Sequence, residues 1–416
     1  MRVIREVTED ELDEFLRITT EAFPGMKVIS RDDYDQMLDR LRKVMKEPIV
    51  HFFGVWEKEK MVGVMRLYDF TMKIHSTRTL VGGIGGVAVD LRHKKEHVAA
   101  DMLRFFLDYY KKKGACLTAL YPFRPDFYRR MGFGYGSKTN RYSFPAHVLP
   151  ANVLKNEIDF LNVDDRHAVH DCYDRFLERT NGLIELPPHV LESLFTDPAL
   201  KLVGYKGNGH LRGYLVFRFD PIRDDNFLLN NLHVRALIYD DSDALLSLLA
   251  FLRKQADQVN RIIFETQDDM FYHLLNDPRN GTGNLLAGLW HETNTQGMGI
   301  MYRVIDVSRL FEVLRERDFG GVDIRLRLDL VDTFYPENAG SYLLRSEKGK
   351  VELVDGDGEA CAIEMDVSTF SSLIVGAIDF RRVYEYGMAT ISDPAYVPLI
   401  DRLFHTDQRP MCLTSF

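Results

Sequence analysis

One order of elements, helix, hairpin, strand, helix and strand, occurs twice along this chain, and that repetition constrains the fold more than any single segment. In the first copy Thr8 followed by Glu11 fits a capping box, and an amphipathic helix runs on to Phe23, where Pro24 and Gly25 stop it. HFFGVWEKEKMVGVMRLYDF then sets two β-rich runs around polar residues 57–60, the pattern of a hairpin. LVGGIGGVAVD is a third strand, in which Gly82, Gly83, Gly85 and Gly86 mark places suited to a bulge. A basic turn, LRHKK, leads into EHVAADMLRFFLDYYKKKG, whose apolar residues keep helical spacing up to Gly114. ACLTALYP is a further strand and RPDFYRRMGF a short helix ending at Gly132.

The second copy starts near Pro150. It has a helix over 164–179, the hairpin KLVGYKGNGHLRGYLVFRF, the strand LNNLHVRALIY, a helix over 243–258 and the strand RIIFETQ. This reads as a diverged internal duplication. Where the first copy has basic residues from Arg92 to Lys95, the second has Asp240, Asp241 and Asp243. An acidic loop repels phosphate, so the second copy is expected to lack a nucleotide-type site. From about Met298 a strand and the helix VIDVSRLFEVLRERD open a third region, followed by alternating strands and a helix over 369–376. A length of 416 residues suits about three domains. The reading is a mixed α/β (α+β) chain divided at 1–147, 148–297 and 298–416, the last with a hydrophobic groove that the C-terminal segment fills.

With 45% hydrophobic residues the chain has material for several cores, and 53 basic against 62 acidic residues give a net charge of −9, which disfavours nucleic acid and mildly favours cationic partners. The four cysteines, Cys116, Cys172, Cys361 and Cys412, follow no metal-ligand or disulfide spacing, which points to buried thiols in a reducing compartment. The charged start MRVIREVTEDELDEF is unlike a signal peptide, and no apolar run reaches the 18 residues of a membrane span, so a cytoplasmic location is expected.

VAVDLRHKKEHVAADM, residues 87–102, joins strand to helix through the basic turn. The amides of Glu96, His97, Val98 and Ala99 at the helix start, with Lys94 and Lys95, suit a pyrophosphate; a solvated basic loop is the other reading of the same spacing. Tyr128 in FYRRMGFGYG is either a core aromatic beside Phe127 and Met131 or a proton donor. The ending MCLTSF is apolar enough to be buried, which would carry the free carboxylate of Phe416 inside. His93 and His97 have helical spacing without a third metal ligand, so no metal is expected.

Together, VAVDLRHKKEHVAADM, ALYPFRPDFYRRMGFGYG and the terminal phenylalanine resemble the Eis (enhanced intracellular survival) family of N-acetyltransferases, within the GCN5-related (GNAT) superfamily. The resemblance implies two tandem GNAT folds, the first binding acetyl-CoA, and a sterol-carrier-protein-like domain that delivers the C-terminal carboxylate. It implies that Val87, Ala88 and Val89 take the pantetheine arm on their backbone, that Lys94 and Lys95 replace an arginine pair, and that the amides of Glu96 to Ala99 hold the pyrophosphate. Tyr128 falls on the family's general acid and Phe416, through its carboxylate, on the general base. Members assemble as hexamers, so a homo-oligomer is implied. The acceptor would be a primary amine of a cationic small molecule, aminoglycoside-like or a polyamine, or a lysine side chain.

The chemistry suits those groups. Direct transfer requires a proton acceptor for the attacking amine and a donor for the departing thiolate. A tyrosine of ordinary pKa about 10 holds a proton that a thiolate of pKa about 8.5 can take. A carboxylate of pKa about 3.3 to 3.7 is a weak base for an ammonium, so it would attract the cation and relay its proton through water. Amides at a strand bulge would polarise the thioester oxygen.

Two departures from the family pattern matter. His97, preceded by Glu96, stands where the motif has glycine, which predicts weaker acetyl-CoA binding and leaves open a non-catalytic GNAT-fold scaffold. AFPGMK around Phe23 lacks an acidic residue that some relatives carry, so an aminoglycoside preference does not transfer. A lipid-binding role for the third region is a further alternative.

Overall fold

The computed structural model describes residues 2–151, 158–207 and 209–416, and forms two compact units. The first comprises residues 1–136, 300–409 and 415–416, the second residues 137–299 and 410–414.

The first unit is built on a seven-stranded sheet. Its strands are β1 (Arg2–Glu6), β2 (Val50–Glu57), β3 (Lys60–Ile74), β4 (Thr77–Val89), β5 (Leu117–Leu120) and β6 (Gly134–Tyr135), with Met301–Val304 between β5 and β6. β2, β3 and β4 form an antiparallel meander, while β4 and β5 run parallel through the crossover helix Val98–Lys112. Met301–Val304 joins antiparallel to β5, Met301 opposite Leu120 and Val304 opposite Leu117.

The helices are α1 (Leu12–Ala22), α2 (Arg31–Met45), α3 (Val98–Lys112) and α4 (Pro125–Arg129). At the entry to α1 the Glu11 carboxylate accepts from the Thr8 N–H at 2.9 Å, as the capping box predicts. Ser30 and Asp33 cap α2 in the same way, the Asp33 N–H donating to Ser30 Oγ at 3.1 Å and the Ser30 N–H to Asp33 Oδ2 at 2.9 Å. α3 buries Val98, Met102, Leu103, Phe106, Leu107 and Tyr110 at helical spacing. That stripe packs with Val62, Leu67, Ile84 and Leu120 of the sheet, and the same cluster takes in Tyr128 and Phe133.

Residues 310–404 of this unit hold a second, five-stranded sheet in the order Lys350–Leu353, Gly340–Glu347, Ile324–Val331, Cys361–Asp366, Ala389–Ile391. The helix after Cys361–Asp366 runs Val367–Ile374, and its Ser371 and Ser372 hydroxyls engage the first sheet, taking the Val304 N–H at 2.9 Å and donating to the Tyr135 carbonyl at 2.9 Å.

The second unit repeats the plan, with the order Asn294–Met298, Lys138–Phe144, Val259–Thr266, Asn230–Tyr239, His210–Pro221, Lys201–Gly207, Ile158–Phe160. Its helices Arg166–Glu178 and Ser242–Arg253 follow the sequence reading, and the latter stops at Arg253 in place of 258. Asn208, in the hairpin turn, lies outside the described residues. Residues 410–414 belong to this unit. The chain is thus a mixed α/β protein.

Candidate active site

β4 changes partners along its length. Val81 to Ile84 pair with Leu117 to Leu120 of β5, and β4 then continues alone on that side to Val89. On the other side the register with β3 shifts between Val64 and Arg66, where Ala88 faces Val64 and Gly85 faces Arg66. Gly86 lies in this bulge with φ +59°, a left-handed conformation that glycine adopts freely. The strand is therefore parted from β5 and kinked at one place, leaving the backbone of Val87, Ala88 and Val89 available to an extended ligand arm.

At the end of β4, Asp90 accepts from the Arg92 N–H at 2.9 Å, from Arg92 Nη2 at 2.7 Å and from Arg17 Nη2 at 3.1 Å. Arg92, with Arg17, holds this buried carboxyl far below the usual carboxylate range. The turn so fixed carries Lys94 and Lys95 exposed into α3. Lys95 has φ +68° and His97, the N-cap, φ +64°. A left-handed N-cap is a glycine conformation, and histidine adopts it here at a cost of about 1–2 kcal/mol. The first-turn amides of Val98 and Ala99 have no acceptor within the helix and suit an anion. Glu96 lies outside α3, and its side chain takes Arg2 Nη2 at 3.3 Å and His93 Nδ1 at 3.0 Å. Its charge is thereby partly compensated beside the turn. His93 groups with Glu57 and Glu96, and His97 is outside that cluster.

Tyr128 sits on α4, which Pro125 starts at its first position. Its ring packs edge-on against Phe127 at 5.2 Å and Phe133 at 6.0 Å, and burial pushes its phenol up to about 12. Val87 and Val89 pack on the same cluster.

Phe416 reaches the bulge from the other end of the chain. Its ring stands edge-on to Phe70 at 4.8 Å, Tyr121 at 5.3 Å and Tyr68 at 5.6 Å. Tyr68 and Phe70 are stacked on each other with an interplanar angle of 7°, forming one wall of the cage. A Cβ built on Gly85 would lie 2.9 Å from the Phe416 carboxyl carbon and 3.2 Å from a carboxyl oxygen. The structure thus brings together the β4 bulge and the Phe416 carboxyl. Sequence reading missed the cage; aromatics two apart on β3, which share a face, were the available signal for Tyr68 and Phe70.

Residues 3–136 match an acetyltransferase (GNAT) domain model, residues 188–304 a second acetyltransferase (GNAT) domain model, and residues 310–413 a sterol carrier protein domain. No curated protein matches the chain. Among solved structures, a GCN5-related N-acetyltransferase from Anabaena variabilis is similar at TM-score 0.82 and 16% identity, with all of both chains covered. One from Kribbella flavida has TM-score 0.79 and 20% identity, and Eis1 from Mycobacterium abscessus has TM-score 0.77 and 19% identity, each again over the full length of both chains. These likenesses are of fold. By its own domains the chain is a GCN5-related N-acetyltransferase, carrying two GNAT domains followed by a sterol carrier protein domain.

Proposed function

We propose that the first GNAT domain transfers an acetyl group directly from acetyl-CoA to a primary amine, on a cationic small molecule of aminoglycoside or polyamine type or on a lysine side chain. The observation that carries this reading is the Phe416 carboxyl group lying against Gly85 at the bulge of β4. An acyl arm laid along Val87, Ala88 and Val89 would bring its thioester to the same bulge. Lys94, Lys95 and the amides from Glu96 to Ala99 would take the pyrophosphate, with Val98 and Ala99 supplying the helix-start donors.

In this reading the Phe416 carboxylate draws the ammonium in and passes its proton to water, while backbone amides at the bulge polarise the thioester oxygen. Tyr128 delivers a proton to the leaving thiolate. Burial raises this phenol to about 12, which keeps it protonated at neutral pH and lowers its strength as an acid. Four buried cysteines outside any disulfide favour a reducing, cytoplasmic setting, and the resemblance of the sequence motifs to the Eis family implies a homo-oligomer, with a hexamer as the specific expectation.

Calorimetric titration with acetyl-CoA, with desulfo-CoA for comparison, tests the first half, and thiol release over a panel of aminoglycosides, polyamines and lysine peptides tests the second. Saturable binding and amine-dependent thiol release are expected. No binding at millimolar acetyl-CoA would overturn the reading in favour of a scaffold, for which the left-handed His97 would be the reason.

A further inference from the structure

In the second unit the parallel strands Asn230–Tyr239 and Val259–Thr266 pair from Asn230 with Val259 as far as Val234 with Phe264, and Asn230–Tyr239 then continues past the last pair. β4 and β5 of the first unit part in the same manner after Ile84. Each GNAT sheet therefore opens a wedge between two central parallel strands. In the second unit the wedge is a small cavity lined by Leu237, Tyr239, Phe271 and Leu274, and by two residues from far along the chain, Met411 and Leu413.

The segment entering it is anchored at successive residues. The Met411 N–H donates to the Asn181 carbonyl at 2.8 Å, and the Cys412 N–H to Gln267 Oε1 at 2.5 Å. Gln267 is 8% exposed, so this acceptor is satisfied out of reach of bulk water. Met411 and Leu413 line the wedge, while Cys412 and Thr414 between and after them are each 7% exposed. Thr414 meets the buried phenol of Tyr173. Gly182, at φ +87°, would with a Cβ stand 2.8 Å from the Met411 nitrogen, so its lack of a side chain admits the segment.

We infer that the wedge of the second GNAT domain is a peptide-docking site whose occupant is residues 411–414 of this chain, with Gln267 as a positioning residue for the reaction. Two consecutive backbone N–H groups, one held by a turn carbonyl and one by a buried side-chain amide, fix the segment in one register along the slot. Residues 410–414 belong to the second unit and residues 415–416 to the first, so the dock fixes the tether of the Phe416 carboxyl. The reaction part of the inference rests on the role proposed above for that carboxyl.

Carboxypeptidase A acting on the intact protein reads the dock directly, through the rate at which phenylalanine is released; thiol release from acetyl-CoA with the best amine of the panel reads the reaction. Gln267→Met keeps the length of the side chain and loses the acceptor, and Gln267→Glu retains an acceptor. Loss of one net hydrogen bond predicts about fivefold faster phenylalanine release and lower kcat in Gln267→Met. The acetyl-CoA dissociation constant should be unchanged, and Gln267→Glu should stay close to the parent. Leu413→Ser, at a position 38% exposed, should act in the same direction and serves if Gln267→Met does not fold. Parent rates of phenylalanine release in folded variants would overturn the dock. Faster release with parent turnover would uphold the dock and overturn the catalytic role of Phe416, so the two readings fail separately.

Discussion

The carboxyl carbon of Phe416 lies 2.9 Å from where a Cβ on Gly85 would stand, so the carboxyl group takes the space that a side chain on this central-strand glycine would need. A real Cβ does not tolerate that distance to a carboxyl carbon. Gly85→Ala should therefore push the carboxyl off the bulge, at a cost in the range of about 1–3 kcal/mol typical of overpacking. We expect kcat to fall about tenfold or more, with a modest drop in Tm. Parent kcat in a folded Gly85→Ala protein would mean that the carboxyl position is irrelevant to turnover.

Adding one alanine after Phe416 displaces the carboxyl without touching the cage that holds the phenylalanine ring. Turnover should drop about 10²-fold or more, the scale of one acid–base contribution, while acetyl-CoA binds as before. Full activity in the extended protein would remove the carboxylate from the reaction.

Tyr128→Phe removes the hydroxyl and keeps the ring that packs on Phe127 and Phe133. A kcat about 10²-fold lower with little change in acetyl-CoA affinity is expected. The sign of the pH dependence follows from burial. With the folded phenol at about 12 and the unfolded one at about 10, the unfolded state loses its proton first. Stability from this group is then complete below pH 10 and is lost as pH rises toward 12. In turnover, the rate should rise with pH as the acceptor amine deprotonates, with no falling limb from Tyr128 below about pH 10. A descending limb near pH 8 that disappears in Tyr128→Phe would contradict the raised phenol.

Much of this architecture was legible because it is local. The glycine-rich strand, the basic turn and the apolar stripe Val98, Met102, Leu103, Phe106 each carry their own signal, and they fold as read. α2 was equally legible from Ser30 and Asp33, although the sequence reading passed over it. What periodicity could not give is pairing between distant segments. Nothing in Met301–Val304 announces that it lies beside β5, and nothing in the tail names Gln267 or the cage of Tyr68, Phe70 and Tyr121. The departure at His97 was visible as a residue type; its left-handed backbone was not.

That backbone gives a prediction with the opposite sign. His97 pays for a conformation that glycine adopts freely, and its side chain stands at the start of α3 where an anion would approach. His97→Gly should raise acetyl-CoA affinity several-fold in calorimetry, with stability changed by less than about 1 kcal/mol because glycine also loosens the unfolded chain. Weaker binding would show that the imidazole is itself a phosphate contact.

Arg303 and Asp332 make the strongest stability prediction. They are 0% and 1% exposed and joined at 2.6 Å. Asp332 also accepts the Tyr335 N–H at 2.9 Å, and Asn338 Nδ2 donates to the Val304 carbonyl at 3.0 Å, so the pair sits where the strand Met301–Val304 meets the turn that follows Ile324–Val331. Burial works to lower the Arg303 pKa and the Asp332 charge opposes it, so removing the carboxylate leaves a buried cation without its counter-charge. Truncating one partner of such a pair typically costs about 3–5 kcal/mol. Asp332→Ala should therefore lower the denaturant midpoint sharply, and Arg303→Met with Asp332→Leu should recover most of the loss, since an apolar pair of similar size leaves no charge to compensate. If the double variant is no more stable than Asp332→Ala, the cost lies in packing around Gly132, whose Cβ position the Arg303 guanidinium fills, and the buried charge is secondary.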